Sequence, residues 1–225
     1  DTRPCRHVKL FPNAIPLGIG LISDLDLLVV QEALRVIRQA ITAEQNPPDI
    51  AVNISAVSLN SKIFMDQFDE VARPFTDVLR KLLVDVTELG AITEMDVIKV
   101  SLTRLRKMGI RRCLGDIGGG GNTFMALSGL NVDFAKIDGD MINAAMKDSK
   151  DRAILQSTIQ ICSHLGILVI AEKVETEEQR QFLRSQGVNL GQGYLLGRPS
   201  ADLLGIASYV RAAAKGRTME DGAAG

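Results

Sequence analysis

Tryptophan is absent from this 225-residue chain, and aromatic residues make up only 4% of it. A core must therefore come from Leu, Ile, Val, Ala and Met. Histidine is almost as scarce, with His7 and His164 alone. His7 lies in an irregular start. His164 stands just before Gly166, in the last turn of an expected helix, where a cation suits the carbonyl end. Zinc chemistry and a histidine general base are both poorly served by such a chain. The three cysteines, Cys5, Cys113 and Cys162, form no CxxC pair and read as small buried apolar residues in a reducing compartment. No apolar run approaches the ~18 residues of a membrane span. No basic-apolar signal segment opens the chain. The net charge of -1 gives no general attraction to nucleic acid polymers or to an anionic membrane. These absences point to a cytoplasmic domain, and the start at Asp1 reads as a cut within a longer protein.

What the chain does have is alternation. Hydrophobic residues make up 46% of it, enough for one sizeable core. Residues 1–23, with Pro4, Pro12 and Pro16, are expected to be irregular. Leu27, Val30, Leu34 and Ile37 recur at three- and four-residue steps, which predicts a helix over 24–40 with Asp24 as its cap. Strands are expected at 50–54, 82–86, 111–114, 132–137, 167–171 and near 189–192. Between them fall helices at about 61–80, 94–108, 124–129, 139–164 (one or two) and 177–186, with a last one at about 201–214. Several strands are apolar nearly throughout, as in a parallel sheet buried on both faces. Gly109, Gly166 and Gly187 follow helices, where a left-handed cap suits glycine. The pattern is that of one α/β barrel domain over 1–211, followed by a disordered tail at 212–225.

Six short segments place a polar residue at or just past the end of an apolar run: Asn53 in AVNIS, Asp85 in DVTE, Asp116 in GDIGG, Lys136 with Asp138 in KID, Glu172 in AEKVE and Gln192 in GQGY. Consecutive members lie 20 to 36 residues apart, about one strand–helix unit. One acid, amide or lysine per strand end is how such a barrel assembles a site from many strands. Asn53, Asp85, Asp116 and Glu172 offer hard oxygen donors, which suit Mg²⁺, Mn²⁺ or Ca²⁺ better than zinc. Lys136 beside carboxylates either orients water near a phosphate or forms an internal ion pair. Glu175 and Glu178 read as acids beside a helix start that Thr176 caps. The run Gly118–Gly121 lacks the GK[ST] ending of a phosphate-binding loop and reads as a loop beside the site.

In this order the segments resemble the EAL-domain family, whose members hydrolyse or bind cyclic di-GMP. Its pattern of NxS, ExTE, DDFGTG, KID, AEGVE and QGY with a following proline is matched by Asn53–Ser55, Asp85–Glu88, Gly115–Gly120, Lys136–Asp138, Glu172–Glu175, and Gln192–Tyr194 with Pro199. GLI at Gly20–Ile22 and EEQ at Glu177–Gln179 extend the resemblance over about 18–200. The resemblance implies a (β/α)8 TIM-like barrel of the EAL type, with two divalent metals, Mg²⁺ or Mn²⁺, over one phosphodiester of cyclic di-GMP. It puts Asn53, Asp85, Asp116 and Glu172 at metal-ligand positions and Lys136 near the attacking water. Asp138 and Gln192 fall on supporting positions, and Glu88 on the glutamate that orders the loop after the Asp pair. A homodimer and fused upstream signalling domains, with or without a membrane anchor, are compatible with the family.

The departures set the functional reading. No Asp or Glu occurs between Asp1 and Asp24, so the first strand with its EAL glutamate is missing or altered. Glu32–Ala33–Leu34 spells EAL inside an amphipathic helix and is a coincidence of letters. Gly115 replaces the first Asp of DDFG. The loop after Asp116 reads IGGGGNT, Lys173 replaces the glycine of AEGVE, and Asp85 is one methylene shorter than the family's Glu. The reading these support is a degenerate EAL domain that binds cyclic di-GMP or relays a signal with little or no hydrolysis. The alternatives are an active metal-dependent phosphodiesterase giving pGpG, which needs an upstream Glu and a compensating ligand, and a protein-interaction module without nucleotide binding.

Overall fold

The computed structural model describes residues 3–4, 19–43, 47, 49–87, 95–117, 123–188 and 190–198. The expected helix at 201–214, the tail, Glu88, the Gly118–Gly121 loop and Pro199 lie outside these residues.

Helix α1 (Ile19–Thr42) leads into β2 (Ile50–Ser55), the short α2 (Ala56–Leu59) and α3 (Lys62–Ala72). Then follow β3 (Leu82–Thr87), α4 (Met95–Lys107), β4 (Arg111–Ile117), α5 (Thr123–Gly129) and β5 (Phe134–Ile137). Helices α6 (Gly139–Lys147) and α7 (Ser149–His164), strand β6 (Leu168–Ala171), α8 (Glu177–Ser185) and β7 (Leu190–Gly191) complete the series. A two-residue strand, β1 (Arg3–Pro4), precedes them all. All pairings are parallel, and the order is β1-β7-β6-β5-β4-β3-β2. Each strand from β3 onward lies beside its predecessor, and helices fill the crossovers. That winding in one direction is the barrel-like α/β arrangement. The place beside β7 is taken by Arg3–Pro4, so part of the segment expected to be irregular is strand.

Three other expectations are corrected, and the open choice over 139–164 is resolved. Helix α1 begins five residues earlier than the Asp24 cap allowed, and Asp24 is an exposed residue inside it. The predicted helix over 61–80 is shorter. Ser61 caps α3 by accepting from the Phe64 amide at 3.2 Å. After Ala72 the chain tightens into 3₁₀ turns at Arg73–Phe75 and Leu79–Lys81, because Pro74 supplies no amide hydrogen to continue the ladder. Strand β4 runs three residues past its predicted end, to Ile117. Helices 139–147 and 149–164 are two, separated at Asp148, whose carboxylate caps the second by accepting from the Lys150 amide at 2.7 Å. Thr176 and Gln179 form a reciprocal capping box on α8. Gly109, Gly166 and Gly187 carry φ of 82°, 71° and 84° after their helices.

Strand residues alternate between two cores. Val52, Ile54, Leu82, Val84, Val86 and Leu114 pack outward with α1, α3 and α4 around Leu34, Ile37, Phe68 and Leu102. The opposite parity, Ala51, Leu83, Cys113, Phe134 and Ile170 with Leu190 against them, forms a separate apolar layer inside the sheet. A third cluster ties α6, α7 and α8 to the ends of β5 and β6 through Ile137, Leu155, Ala171 and Leu183.

Candidate active site

The inner apolar layer fixes where the polar residues go. Side chains of a strand repeat every two residues. Two residues past Ala51, Leu83, Phe134, Ile170 and Leu190 come Asn53, Asp85, Lys136, Glu172 and Gln192. Two past Cys113 comes Gly115. The residues singled out in the sequence therefore form the next layer up, at the carboxyl ends of the strands. Asn53 and Asp85 are register partners on β2 and β3. The ladder runs one residue beyond the strand ends at Asp138, Glu172 and Gln192. The Glu172 amide donates to the Ile137 carbonyl at 2.9 Å, the Gln192 amide to Ala171 at 2.7 Å, and the Asp138 amide to Ile117 at 3.3 Å.

At the centre is an ion triad. The Lys136 ammonium lies 2.7 Å from Asp85 Oδ2 and 2.8 Å from Glu172 Oε1. Asp85 and Lys136 side chains are each 2% exposed, Glu172 12%. Burial pushes the Asp85 carboxyl above its usual range, and the Lys136 charge offsets only part of that; the charges of Glu172 and Asp116 add to the rise. Burial alone would lower the Lys136 ammonium, but the two carboxylates outweigh it and hold it charged. One ammonium faces two carboxylates, and the deeper acid carries the penalty.

Asp116 stands at a register shift between Leu114 and Ile117 and has a left-handed backbone, φ 55°. The shift breaks the strict alternation that would have turned residue 116 away from the inner face. Its side chain is exposed, yet close enough to oppose ionisation of Asp85. A side chain at Gly115 would begin 3.3 Å from Asp85 Oδ1 and 3.2 Å from the Val86 carbonyl oxygen. A carboxylate there would stand over Asp85, and glycine supplies none.

Lys173, at the place of the family's glycine, follows Glu172 in the chain. The structure turns it to Asp138, with Nζ 2.7 Å from Oδ1. Asp138 begins α6 without capping it through its side chain. Burial would raise its carboxyl, but Lys173 and the α6 amides bring it below its ordinary value. The Gln192 side-chain oxygen is buried with no hydrogen-bond partner among the described residues.

The hard-oxygen donor set has the right chemistry for Mg²⁺ or Mn²⁺, but its arrangement does not fit a metal cage. The nearest oxygens of Asp85 and Glu172 are directed at an ammonium. Among the described residues, no three Asp, Glu, His or Cys come together in a group able to hold a cation.

The EAL domain family model matches residues 13–199. The chain is 33% identical over 197 residues to the bifunctional diguanylate cyclase/cyclic di-GMP phosphodiesterase MucR of Pseudomonas aeruginosa, covering 86% of this chain and 29% of MucR. It is 29% identical over 180 residues to the cyclic di-GMP phosphodiesterase PdeF of Escherichia coli, covering 80% of this chain and 24% of PdeF. The chain thus spans less than a third of the length of either relative. Among solved structures, the PaMucR phosphodiesterase in complex with c-di-GMP superposes with a TM-score of 0.71 at 34% identity, over 82% of this chain and 76% of that one. The EAL domain of FimX from Xanthomonas citri, in complex with c-diGMP, gives 0.72 at 20% identity over 80% and 72%, a likeness of fold alone.

Proposed function

The chain belongs to the EAL-domain family, and from that premise we propose that it is a degenerate member that binds cyclic di-GMP and relays its presence with little or no hydrolysis. The relatives MucR and PdeF carry cyclic di-GMP phosphodiesterase in their names, and the phosphodiesterases of the family are metal-dependent. One observation carries the reading for this chain. At residue 115 the inner face has only a hydrogen where a side chain would begin 3.3 Å from Asp85 Oδ1. A carboxylate missing there removes a ligand and a negative charge from the place where a pair of divalent ions would have to be clamped. Asn53, Lys136, Glu172 and Gln192 stand in the polar layer above the apolar one, with Asp138 one residue past β5, which supports a retained ligand pocket. Ligand-dependent closure of that rim would pass the state to attached domains or to a second copy.

The test is a calorimetric titration of this chain with cyclic di-GMP in Mg²⁺ buffer, alongside chromatography of the nucleotide after incubation with Mg²⁺ or Mn²⁺. Saturable binding at micromolar or lower concentration with no pGpG is the expected result. Stoichiometric conversion to pGpG would make the domain a working phosphodiesterase. Neither heat nor product would leave a protein-interaction module.

A further inference from the structure

Lys173 has a left-handed backbone, φ 53°. Glycine adopts that region freely and a lysine does not. The stem is seated with care: a Cβ on Gly139, the first residue of α6, would fall 2.7 Å from Lys173 Cβ and 3.0 Å from its Cδ. The ammonium then reaches Asp138 across the mouth of the site, at 59% side-chain exposure. An ion pair so exposed returns less than the strained backbone costs. Stability therefore does not account for a lysine here, and strain of this kind collects at functional positions. With Lys136 shared between Asp85 and Glu172, and Lys173 on Asp138, three rim carboxylates are in contact with two of the chain's own ammonium groups.

We propose that Lys173 is a positioning residue that, together with Lys136, keeps Asp85, Glu172 and Asp138 engaged by the chain's own ammonium groups, so that the site takes its nucleotide without a divalent ion. The nucleotide part rests on the receptor reading above. The lysine strap also joins the turn after β5 to the turn after β6, holding the two in one arrangement before ligand arrives.

The experiment titrates Mn²⁺ alone into the full chain, its K173G variant and its K173R variant, each checked for folding by thermal melt. Mn²⁺ binding is followed by calorimetry. Cyclic di-GMP is then titrated into the wild type in EDTA and in Mg²⁺. Expected are no saturable Mn²⁺ uptake below about 1 mM for wild type and K173R, a gain of tenfold or more in K173G, and nucleotide affinity in EDTA within about twofold of that in Mg²⁺. Wild-type Mn²⁺ binding tighter than about 1 mM, a K173G variant indistinguishable from wild type, or a tenfold loss of nucleotide affinity in EDTA would each overturn the proposal. If wild type binds no nucleotide in either buffer, the receptor reading falls and the Mn²⁺ arms alone decide the role of Lys173.

Discussion

Replacing Lys136 with methionine isolates the energetics of the triad. Met keeps most of the stem and removes the ammonium, with its charge and its hydrogen bonds to the two acids. Asp85, 2% exposed, and Glu172, 12% exposed, are then left facing each other without their shared cation. Removing one partner of a buried pair costs about 3–5 kcal/mol. For a domain of this length each kcal/mol moves the midpoint by about 2–4 °C, so the melting temperature should fall by about 6–20 °C. The loss should depend on pH. Without Lys136, the burial that already raises Asp85 acts unopposed, and its folded pKa moves further above the unfolded value of about 3.9. A carboxyl raised on folding binds its proton more tightly in the folded state. Stability is then fully present below the unfolded pKa and drains away as pH rises towards the folded one. The K136M deficit should therefore be smaller at pH 5 than at pH 8, read from urea unfolding of both proteins at the two values. A deficit under about 1 kcal/mol, as for a solvated surface pair, or one that does not grow with pH, would refute the idea of a desolvated triad.

Gly115→Asp should restore a carboxylate over Asp85, lower stability by about 1–3 kcal/mol through like-charge crowding, and make stability respond to Mn²⁺, as measured by melts with and without the ion. Gly193→Ala should unfold or severely destabilise the chain in circular dichroism, because its Cβ would lie 2.1–2.6 Å from the Val174 backbone. Lys173→Gly should melt slightly higher than wild type: relief of a left-handed lysine gains about 1–2 kcal/mol, against an exposed ion pair worth about 0–1 kcal/mol. The Cys162 thiol, pushed up to about 11 by burial, and the fully buried Cys113 should resist alkylation at pH 8 until denaturant is added, by mass spectrometry of the labelled peptides.

The strands were legible because their apolar runs and the polar residue at each end recur at unit length. Asn53, Asp85, Lys136, Glu172 and Gln192 could be placed on one rim without coordinates, since each sits at or just past the end of an apolar run. What the sequence hid were contacts that depend on backbone detail. Asp116 reaches the rim only through a register shift, which alternation does not announce. Lys173 pairs with Asp138 because a left-handed residue aims its side chain off the strand's axis. The longer α1 and the shortened α3 were misjudged for separate reasons. Asp24 resembles a cap wherever it falls, and Pro74 lies in the middle of an otherwise periodic stretch.

The inner layer of Ala51, Leu83, Cys113, Phe134 and Ile170 also acts as an insulator. At the strands' amino ends the buried Arg112, on the outward face with Leu114, meets Asp133 at 2.6 Å, and Arg111 meets Asp49 at 2.6 Å below the layer. Above it sits the Lys136 triad. Four residues of strand, roughly 13 Å, separate Arg111 from Gly115, and the side chains of the layer between them are apolar. None of the described ion pairs joins the two charged ends, so substitutions at one should add to those at the other without coupling. The lower end is thus open to engineering for robustness while the upper keeps whatever selectivity it has.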